Sequence, residues 1–416
     1  MIRDLIHFFR DGIRNAVAGG RRYHLWMAFL AFLMGSGALA YSDQFRHGLV
    51  VTGMNDIVSW GLYISNFTFL VGMAAAAVML VLPTYILHDV DFRKAVLVGE
   101  GVAVAALLMC LSFVMVDVGG PMRLWHMIPV VGYFNWPESM LTWDTLVLNG
   151  YLALNTLIPF YLLFKHWKGE QPDKRKYVPF VVLSVMWAVC IHLVTAFLYA
   201  GLVARPFWNN ALLGPRFLAS AFAAGPSFIL LVLAVVRHNT AYEIKEETLR
   251  KLSVIVTVAA QINLVMLGSE LFKEFYHVSE HSASAVYLFF GLHGHSALVP
   301  WIWTAIGMNV LATLVLTINP LRRKMPVLYA AAATLFVAIW IEKGMGLIVP
   351  GLIPSPLGEM TDYHPSWTEI RVTLGIWGMG LTVLTVLIKA AIPIELGTCR
   401  RSGSDGSPSR QEDHHA

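Results

Sequence analysis

Ten apolar runs, each long enough to cross a lipid bilayer, recur along this 416-residue chain and limit the folds open to it. A helix needs about 20 apolar residues to cross the hydrocarbon core. Only α-helices and closed β-barrels satisfy their backbone hydrogen bonds in lipid, and runs of this length are typical of helices. The sequence therefore predicts an all-α polytopic membrane protein, with spans at residues 24–41, 57–87, 95–117, 144–166, 177–203, 211–237, 250–276, 295–318, 326–349 and 367–391.

The segments that flank these spans have a different composition. In residues 2–17, apolar residues recur at helical spacing with charged residues between them, which predicts an amphipathic helix on the membrane surface. The segment after Arg400 is polar and predicts disorder. We therefore expect a cytoplasmic N-terminal segment (1–23), a ten-helix membrane domain (24–397) and a disordered cytoplasmic tail (398–416).

Loops that are rich in lysine and arginine alternate along the chain with loops that have few of them. Twenty-three of the 30 fall in the two terminal segments and in the loops on one side of the predicted membrane. Cytoplasmic loops carry this excess in membrane proteins. Both termini are therefore predicted to be cytoplasmic, in the cytoplasmic membrane of a bacterium or archaeon. Because the basic residues lie between spans, the positive charge predicts a bilayer and not nucleic acid as its partner.

A short pattern occurs in both the second and the sixth span. Small residues at this spacing let helices approach closely, so packing alone also accounts for the match. A true repeat predicts two related four-helix bundles, spans 2–5 and 6–9, plus two further helices, and it pairs Asp117 with Glu270. The two copies are Phe69-Leu70-x-Gly72-x-x-Ala75-Ala76 and Phe217-Leu218-x-Ser220-x-x-Ala223-Ala224.

The stretch from Cys110 to Asp144 holds the most unusual polar residues. Asp117 ends an apolar run, and Arg123 follows six residues later, after a Gly-Gly-Pro turn. A carboxylate at the membrane edge is costly unless it is paired or functional. Arg123 is its natural partner. The pair is either a salt bridge that fixes the loop or part of a polar pocket where a lipid-soluble substrate exchanges protons.

Ionisable and polar residues inside other spans are further candidates. Tyr63 and Asn66 lie three residues apart and are expected to share a helix face, just after Trp60. His192 is either a functional group or a core histidine. Glu342 either works in proton transfer or is neutralised by the adjacent Lys343. The remaining candidates are Glu100 and Glu270.

The chain has few residues that could carry electrons. Its three cysteines form no C-x-x-C pair, and only His192 lies well inside a span. A cluster needs a set of thiolates, and a b-type haem needs two facing histidines. We therefore expect no metal, haem or iron–sulfur cluster of its own. If the chain does redox work, a partner must supply the electrons and the substrate must dissolve in lipid. A quinone meets both conditions.

The segment Asp117-Val-Gly-Gly-Pro-Met-Arg123-Leu-Trp-His resembles the Asp-x-Gly-x-Pro-x-Arg-x-Trp-His motif of the NrfD/PsrC family of quinone-interacting membrane subunits. Further blocks resemble DsrP-type members, the membrane subunits of DsrMKJOP complexes. The first 20 residues and the tail after Gly397 lie outside the resemblance. The blocks are residues 58–72, 142–155, 215–226, 340–351 and 392–397.

This resemblance implies a menaquinone site near the outer face and a periplasmic, ferredoxin-like iron–sulfur subunit docked there. It also implies cytochrome c and other membrane or cytoplasmic subunits, and a link to dissimilatory sulfite and sulfur metabolism. The chain would be non-catalytic alone but part of a quinone oxidoreductase. The alternatives are a proton- or ion-conducting transporter and a passive membrane anchor for an electron-transfer protein.

Three groups of site residues are expected on these grounds. The first, for catalysis, comprises Asp117, Arg123, His192 and Glu270. The second, for quinone binding, comprises Trp60, Tyr63, Asn66, Trp125 and again His192, which takes a position where the family has a polar residue. The third, for a proton path, comprises Glu100, Asp117, Asp144, Glu270 and Glu342.

Overall fold

The computed structural model describes residues 2–81, 84, 92–277 and 279–400, and these are nearly all helical. Ten of the described helices are long and apolar enough to cross a membrane, which confirms the prediction. They are α2 (Arg21–His47), α3 (Leu62–Val81), α4 (Arg93–Asp117), α5 (Met140–Lys168), α6 (Lys174–Ala200), α7 (Leu213–Asn239), α8 (Glu246–Tyr276), α10 (Val299–Thr317), α11 (Met325–Leu352) and α12 (Trp367–Glu395). Two α-helices of two turns or more lie outside the spans in the described chain, α1 (Ile2–Val17) and α9 (Ala283–Phe290).

Many helices extend past the apolar runs that predicted them, because their polar ends continue the helix beyond the hydrocarbon core. Helix α12 begins with a capping box, in which the Glu369 amide donates to Ser366 Oγ (3.2 Å) and the Ser366 amide donates to the Glu369 carboxylate (2.8 Å). Helix α5 ends at Gly169, whose φ of 75° is the left-handed geometry common after helices. The predicted tail from residue 401 onward lies outside the described residues.

The spanning helices form two four-helix bundles and a pair. Helices α3 to α6 make up the first bundle, helices α7, α8, α10 and α11 the second, and α2 packs along α12. The bundles meet where α3 crosses α7. A Cβ on Gly72 of α3 would lie 3.4 Å from the Cβ of Ala221 on α7. The two copies of the repeated pattern therefore contact each other at the centre of the molecule.

Helix α1 lies across the same end of the bundle as the ends of α5 and α12. Phe8 packs edge-on against Phe164 and Trp167, and Lys168 pairs with Asp4 at 3.1 Å. Its opposite face is apolar and exposed, which supports a helix lying in the membrane surface. That face consists of Ile2, Ile6, Phe9, Ile13 and Val17.

Glycines allow α2 and α12 to approach each other closely. A Cβ on Gly37 would lie 2.7 Å from the Gly375 Cα and 3.0 Å from the Arg371 carbonyl oxygen, both of which are backbone atoms. Gly35, on the same helix, has open space at the corresponding point. The close approach of the two helices therefore requires glycine at position 37, whereas position 35 has room for a side chain.

We expect Gly37→Ala to lower the melting temperature of the detergent-solubilised protein, because backbone atoms cannot move aside without cost. Overpacking of this kind typically costs about 1–3 kcal/mol. Thermal unfolding followed by tryptophan fluorescence measures the effect. Gly35→Ala is the matched control and should be neutral or slightly stabilising. Equal melting temperatures for the two variants would refute the close contact.

Candidate functional site

One end of the first bundle, which is the outer end in the predicted orientation, carries three neighbouring polar side chains that we call the outer pocket (Gln44, Tyr63 and Asp117). Tyr63 is fully buried, and its hydroxyl donates to Gln44 Oε1 at 2.6 Å. Gln44 Nε2 donates in turn to the Val116 carbonyl at 2.7 Å. The next residue is Asp117, whose Oδ1 is buried and has no hydrogen-bond partner among the residues that the structure describes. The outer pocket thus holds a buried acceptor that no described donor satisfies.

The expected pairing of Asp117 with Arg123 is wrong. The chain turns at Gly120, whose carbonyl accepts from the Arg123 amide at 2.9 Å, and a short 3₁₀ helix (Pro121–Met127) begins there. Arg123 is exposed on this helix and forms no ion pair with Asp117 in the described chain. Trp125, on the same helix, is half exposed and lies against the ring of His126.

A buried carboxylate fixes the start of α3 beside this pocket. Glu369 accepts hydrogen bonds from the Gly53 amide (2.6 Å) and from the Tyr363 hydroxyl (2.6 Å). The Tyr363 oxygen in turn accepts from the Leu62 amide at 2.7 Å. Burial and the negative charge of Glu369 raise the pKa of Tyr363, so its hydroxyl stays protonated and donating.

Tyr63 and Asn66 do not face one site, contrary to the expectation from their spacing. Asn66 is buried, and its Oδ1 accepts from the indoles of Trp340 (3.1 Å) and Trp377 (2.9 Å). Tyr63 points instead to Gln44 on α2. Trp60 stacks on Trp208, with ring centroids 5.9 Å apart. Asn66 therefore joins α3 to α11 and α12, and the outer pocket lies on another side of α3.

His192 lies far deeper in the membrane than the outer pocket. Tyr199, also on α6, hydrogen-bonds to Thr68 and sets the register of α6 against α3. Thr68 lies five residues deeper along α3 than Tyr63, and His192 lies seven residues deeper along α6 than Tyr199. At the helical rise per residue, these offsets place His192 about 18 Å further in than Tyr63. Its Nδ1 donates to the Ala188 carbonyl (2.8 Å), and its buried Nε2 has no partner within the described ranges. The expected grouping of His192 with Tyr63 and Asp117 is therefore wrong.

Two other carboxylates of the first bundle are also separate from the outer pocket. Asp144 is buried near the start of α5 and accepts from the Thr195 hydroxyl at 2.7 Å. Glu100 lies on α4, about 25 Å inward of Asp117 at the helical rise per residue. Neither carboxylate contacts Asp117, so the described part of the chain shows no continuous relay among these three.

The second bundle contains a buried ionic cluster, which we call the charge cluster (Arg216, Glu270, Glu342 and Asn309). Arg216 of α7 pairs with Glu270 of α8 and with Glu342 of α11, the latter at 2.8 Å. Asn309 of α10 donates to Glu342 at 2.6 Å. The side chain of Glu342 is only 1% exposed. Charges buried this deeply persist only when paired, and the cluster joins all four helices of the bundle.

A π-helical turn, Trp340–Met345, interrupts α11 at the charge cluster. Turns of this kind are frequent at functional sites. Within it, Glu342 faces Arg216, whereas Lys343 donates to the Phe217 carbonyl (3.2 Å) and lies 4.1 Å over the Phe217 ring. Lys343 therefore does not pair with its neighbour Glu342, and Arg216 neutralises that carboxylate instead.

Polar atoms without partners lie next to the charge cluster. The Thr257 hydroxyl donates to the Leu316 carbonyl at 3.3 Å, which places Asn263 and Asn309 at similar depths on α8 and α10. Four buried groups have no partner in the part of the chain that the structure describes: both amide atoms of Asn263, Oδ1 of Asn309 and the Thr313 hydroxyl. Such groups are usually satisfied by internal water. This layer therefore provides polar partners for water molecules beside Glu342.

Sequence reasoning missed three residues of these sites: Gln44, Arg216 and Asn309. Arg216 lies in the block 215–226 of the family resemblance but was assigned no role, although its position after Pro215 inside an apolar segment was a usable signal. Gln44 and Asn309 stood out by neither spacing nor composition. Glu270 and Glu342 were selected correctly as buried carboxylates, and the structure brings them together through Arg216.

We expect Arg216→Met to destabilise the protein strongly, because it leaves two buried carboxylates unpaired. Breaking a buried pair costs about 3–5 kcal/mol. Thermal unfolding in detergent measures the loss, and Arg123→Met, which removes an exposed arginine, should change little. Adding Glu270→Gln and Glu342→Gln to Arg216→Met should restore part of the stability. An Arg216→Met protein as stable as the Arg123→Met control would contradict the ionic role.

Comparisons with known proteins agree with this architecture. The family model described as "Polysulphide reductase, NrfD" matches residues 50–353. The chain is 24% identical over 394 residues to a putative membrane subunit of the dimethyl sulfoxide reductase of Halobacterium salinarum, covering 86% of this chain and 89% of that one. It is 22% identical over 389 residues to an Hdr-like menaquinol oxidoreductase integral membrane subunit of Archaeoglobus fulgidus (89% and 94%). It is 24% identical over 398 residues to a menaquinone reductase integral membrane subunit of Nitratidesulfovibrio vulgaris (88% and 90%). With a family match over most of its length and ten helices that can span a membrane, the chain is an integral membrane protein and belongs to the NrfD polysulphide reductase family.

Proposed function

We propose that this chain is the menaquinone- and menaquinol-interacting membrane subunit of a respiratory electron-transfer complex. The observation that carries the proposal is the outer pocket, where Asp117 leaves a buried oxygen unpartnered beside Tyr63 and Gln44. The names of the two relatives from Archaeoglobus fulgidus and Nitratidesulfovibrio vulgaris support the choice of menaquinone.

The residues of the outer pocket fit a quinone ring. Bound menaquinone would supply a two-electron, two-proton redox couple. A quinol hydroxyl needs an acceptor when it loses its proton, and the open Oδ1 of Asp117 provides one. The second N–H of the Gln44 amide can donate to a ring oxygen, and the Tyr63 hydroxyl can do so if it gives up its hydrogen bond to Gln44. The outer pocket lies where helix ends meet the outer loops, and we propose that the ring reaches it there from lipid.

The structure changes which candidate residues we assign to quinone. We keep Tyr63 and Asp117, and we add Gln44. Trp60, just before α3, and Trp125, on the 3₁₀ helix after α4, are retained as flanking aromatic residues. Asn66 and His192 are assigned to positions outside direct contact, because of the orientation of Asn66 and the depth of His192.

The outer loop after α4 supports a protein partner. Between residues 122 and 136, large apolar side chains are exposed together, which is unusual for a surface that faces only water. We propose that a periplasmic iron–sulfur subunit docks here and exchanges electrons with the quinone. A DsrMKJOP-like assembly with cytochrome c, linked to sulfite and sulfur metabolism, rests on the sequence blocks that resemble DsrP. The exposed residues are Met122, Trp125, Ile128, Val130, Val131, Tyr133 and Trp136.

A second activity, proton movement through the second bundle, is favoured by the charge cluster and its unpartnered neighbours. Glu342 is the central carboxylate, and Arg216 connects it to Glu270 nearer the outer end. Water held by Asn263, Asn309 and Thr313 would link Glu342 toward the opposite side. A passive membrane anchor would need none of these groups. Glu100 and Asp144 are not part of this route.

The outer pocket is tested by Asp117→Asn in the purified complex. We expect quinol-linked electron transfer to fall by about 10²-fold or more, because the variant lacks the proton acceptor. Turnover with a menaquinol analogue and the quinone content of the protein are both measured. His192→Ala, about 18 Å away, and Asp43→Asn, an exposed carboxylate, should retain most activity. Normal turnover in Asp117→Asn, or a larger loss in His192→Ala, would move the site elsewhere.

The proton route is tested by Glu342→Gln in the complex reconstituted into vesicles. We expect quinol-linked electron transfer to continue while proton movement per electron falls, because the neutral amide cannot carry a proton. Electron transfer and vesicle pH are followed together. Glu359→Gln, which alters an exposed outer carboxylate, is the control. An unchanged proton-to-electron ratio in Glu342→Gln would exclude the charge cluster from proton movement.

A further inference from the structure

A cavity of about 220 Å³ lies at the inner end of the second bundle, between the start of α8 and a one-turn helix, Asn319–Arg322, that follows α10. Four of its lining side chains are cationic and one is anionic. The outer pocket and the charge cluster share none of these residues. The lining residues are Glu247, Arg250, Lys251, Ser253, Val254, Asn319, Arg322 and Arg323.

The guanidinium of Arg322 is held in place at the mouth of this cavity. It donates to the Leu316 carbonyl at 3.0 Å and to the Thr257 hydroxyl at 3.4 Å. Arg323 follows it and is exposed. Neither arginine forms an ion pair with a carboxylate in the described ranges of the chain, whereas Arg250 pairs with Glu246 at 3.2 Å. Lys251 likewise pairs with Glu247 at 3.5 Å. The excess positive charge of the cavity is therefore that of Arg322 and Arg323, and the Arg322 guanidinium is preorganised.

An apolar surface continues from the cavity toward the middle of the membrane. Val254 lines the cavity and begins a row of exposed side chains along α8, and a second row lies on α10. Gln261 of α8 donates to Thr317 of α10 at 2.9 Å, so the rows run side by side. Their exposed positions within spanning helices face acyl chains. The rows are Val254, Val258, Ile262 and Val265 on α8, and Leu311, Leu314 and Ile318 on α10.

We propose that this cavity binds the phosphate of an anionic phospholipid, whose acyl chains lie along the two apolar rows. Arginine binds phosphate oxygens through its planar fork of donors, and basic pockets between helices at this side of a membrane suit anionic headgroups. A zwitterionic lipid carries an ammonium group, which the surrounding cations would repel. A free phosphate would use the cations but not the apolar rows. The combination of both surfaces therefore selects an anionic lipid.

The test is a lipid titration of the delipidated full-length chain, followed by native mass spectrometry. Phosphatidylglycerol and phosphatidylcholine with the same acyl chains are compared. We expect one phosphatidylglycerol to bind at least about tenfold more tightly than phosphatidylcholine, since each nearby cation strengthens attraction about fivefold. Arg322→Gln/Arg323→Gln should lose most of this preference. Arg323→Gln alone leaves the Arg322 contacts intact and should lose about fivefold, so the test holds even if the double variant folds poorly.

A matched control removes two exposed cations at the same end of the bundle, away from the cavity. Arg175→Gln/Lys176→Gln, at the start of α6, should keep the full preference for phosphatidylglycerol. Excess inorganic phosphate should not displace the bound lipid. Equal binding of the two lipids, or an equal loss in the control, would overturn the proposal. Displacement by inorganic phosphate would also overturn it and would assign the cavity to a soluble anion.

Discussion

The ion pairs of Arg216 with Glu270 and Glu342 are the interaction on which the second bundle depends. Three of its four helices contribute a charge, and the fourth contributes Asn309. Lipid outside the bundle offers no hydrogen bonds, so each charged group must be satisfied by another helix. The positions of α7, α8, α10 and α11 are therefore fixed relative to one another by electrostatics as well as by packing.

The first bundle satisfies its polar groups differently, although the repeated pattern relates α3 to α7. Its described contacts are mostly hydrogen bonds of neutral side chains, such as Tyr63 to Gln44 and Trp377 to Asn66. A neutral site costs less to desolvate than an ionic one and suits an uncharged, lipid-soluble ring. The carboxylates Glu100, Asp117 and Asp144 are the exceptions, and in our proposal the unpartnered oxygen of Asp117 lies where such a ring would give up its proton. The two bundles thus share an architecture but differ in electrostatics.

The spans could be predicted from sequence because hydropathy is a local property, whereas the site depended on register between helices. Asp117 and Arg123 are close in sequence, yet the 3₁₀ turn separates them. Tyr63 and Asn66 are about 60° apart around α3, which is enough to face different neighbours. The depth of His192 follows only from the contact of Tyr199 with Thr68. Glu270 and Glu342 were found because a buried carboxylate is rare in any membrane span.

Asn66 gives the molecule a mechanical link between its two halves. It lies one turn along α3 from Tyr63, and its single amide oxygen holds the indole of Trp340, the first residue of the π-helical turn that carries Glu342. If α3 rotates or slides when a ring enters beside Tyr63, this hydrogen bond must stretch or pull Trp340 with it. A ligand bound beside Tyr63 would then strain the turn that carries Glu342 in the other bundle. No chain of water molecules or electron carriers between the two sites would be needed.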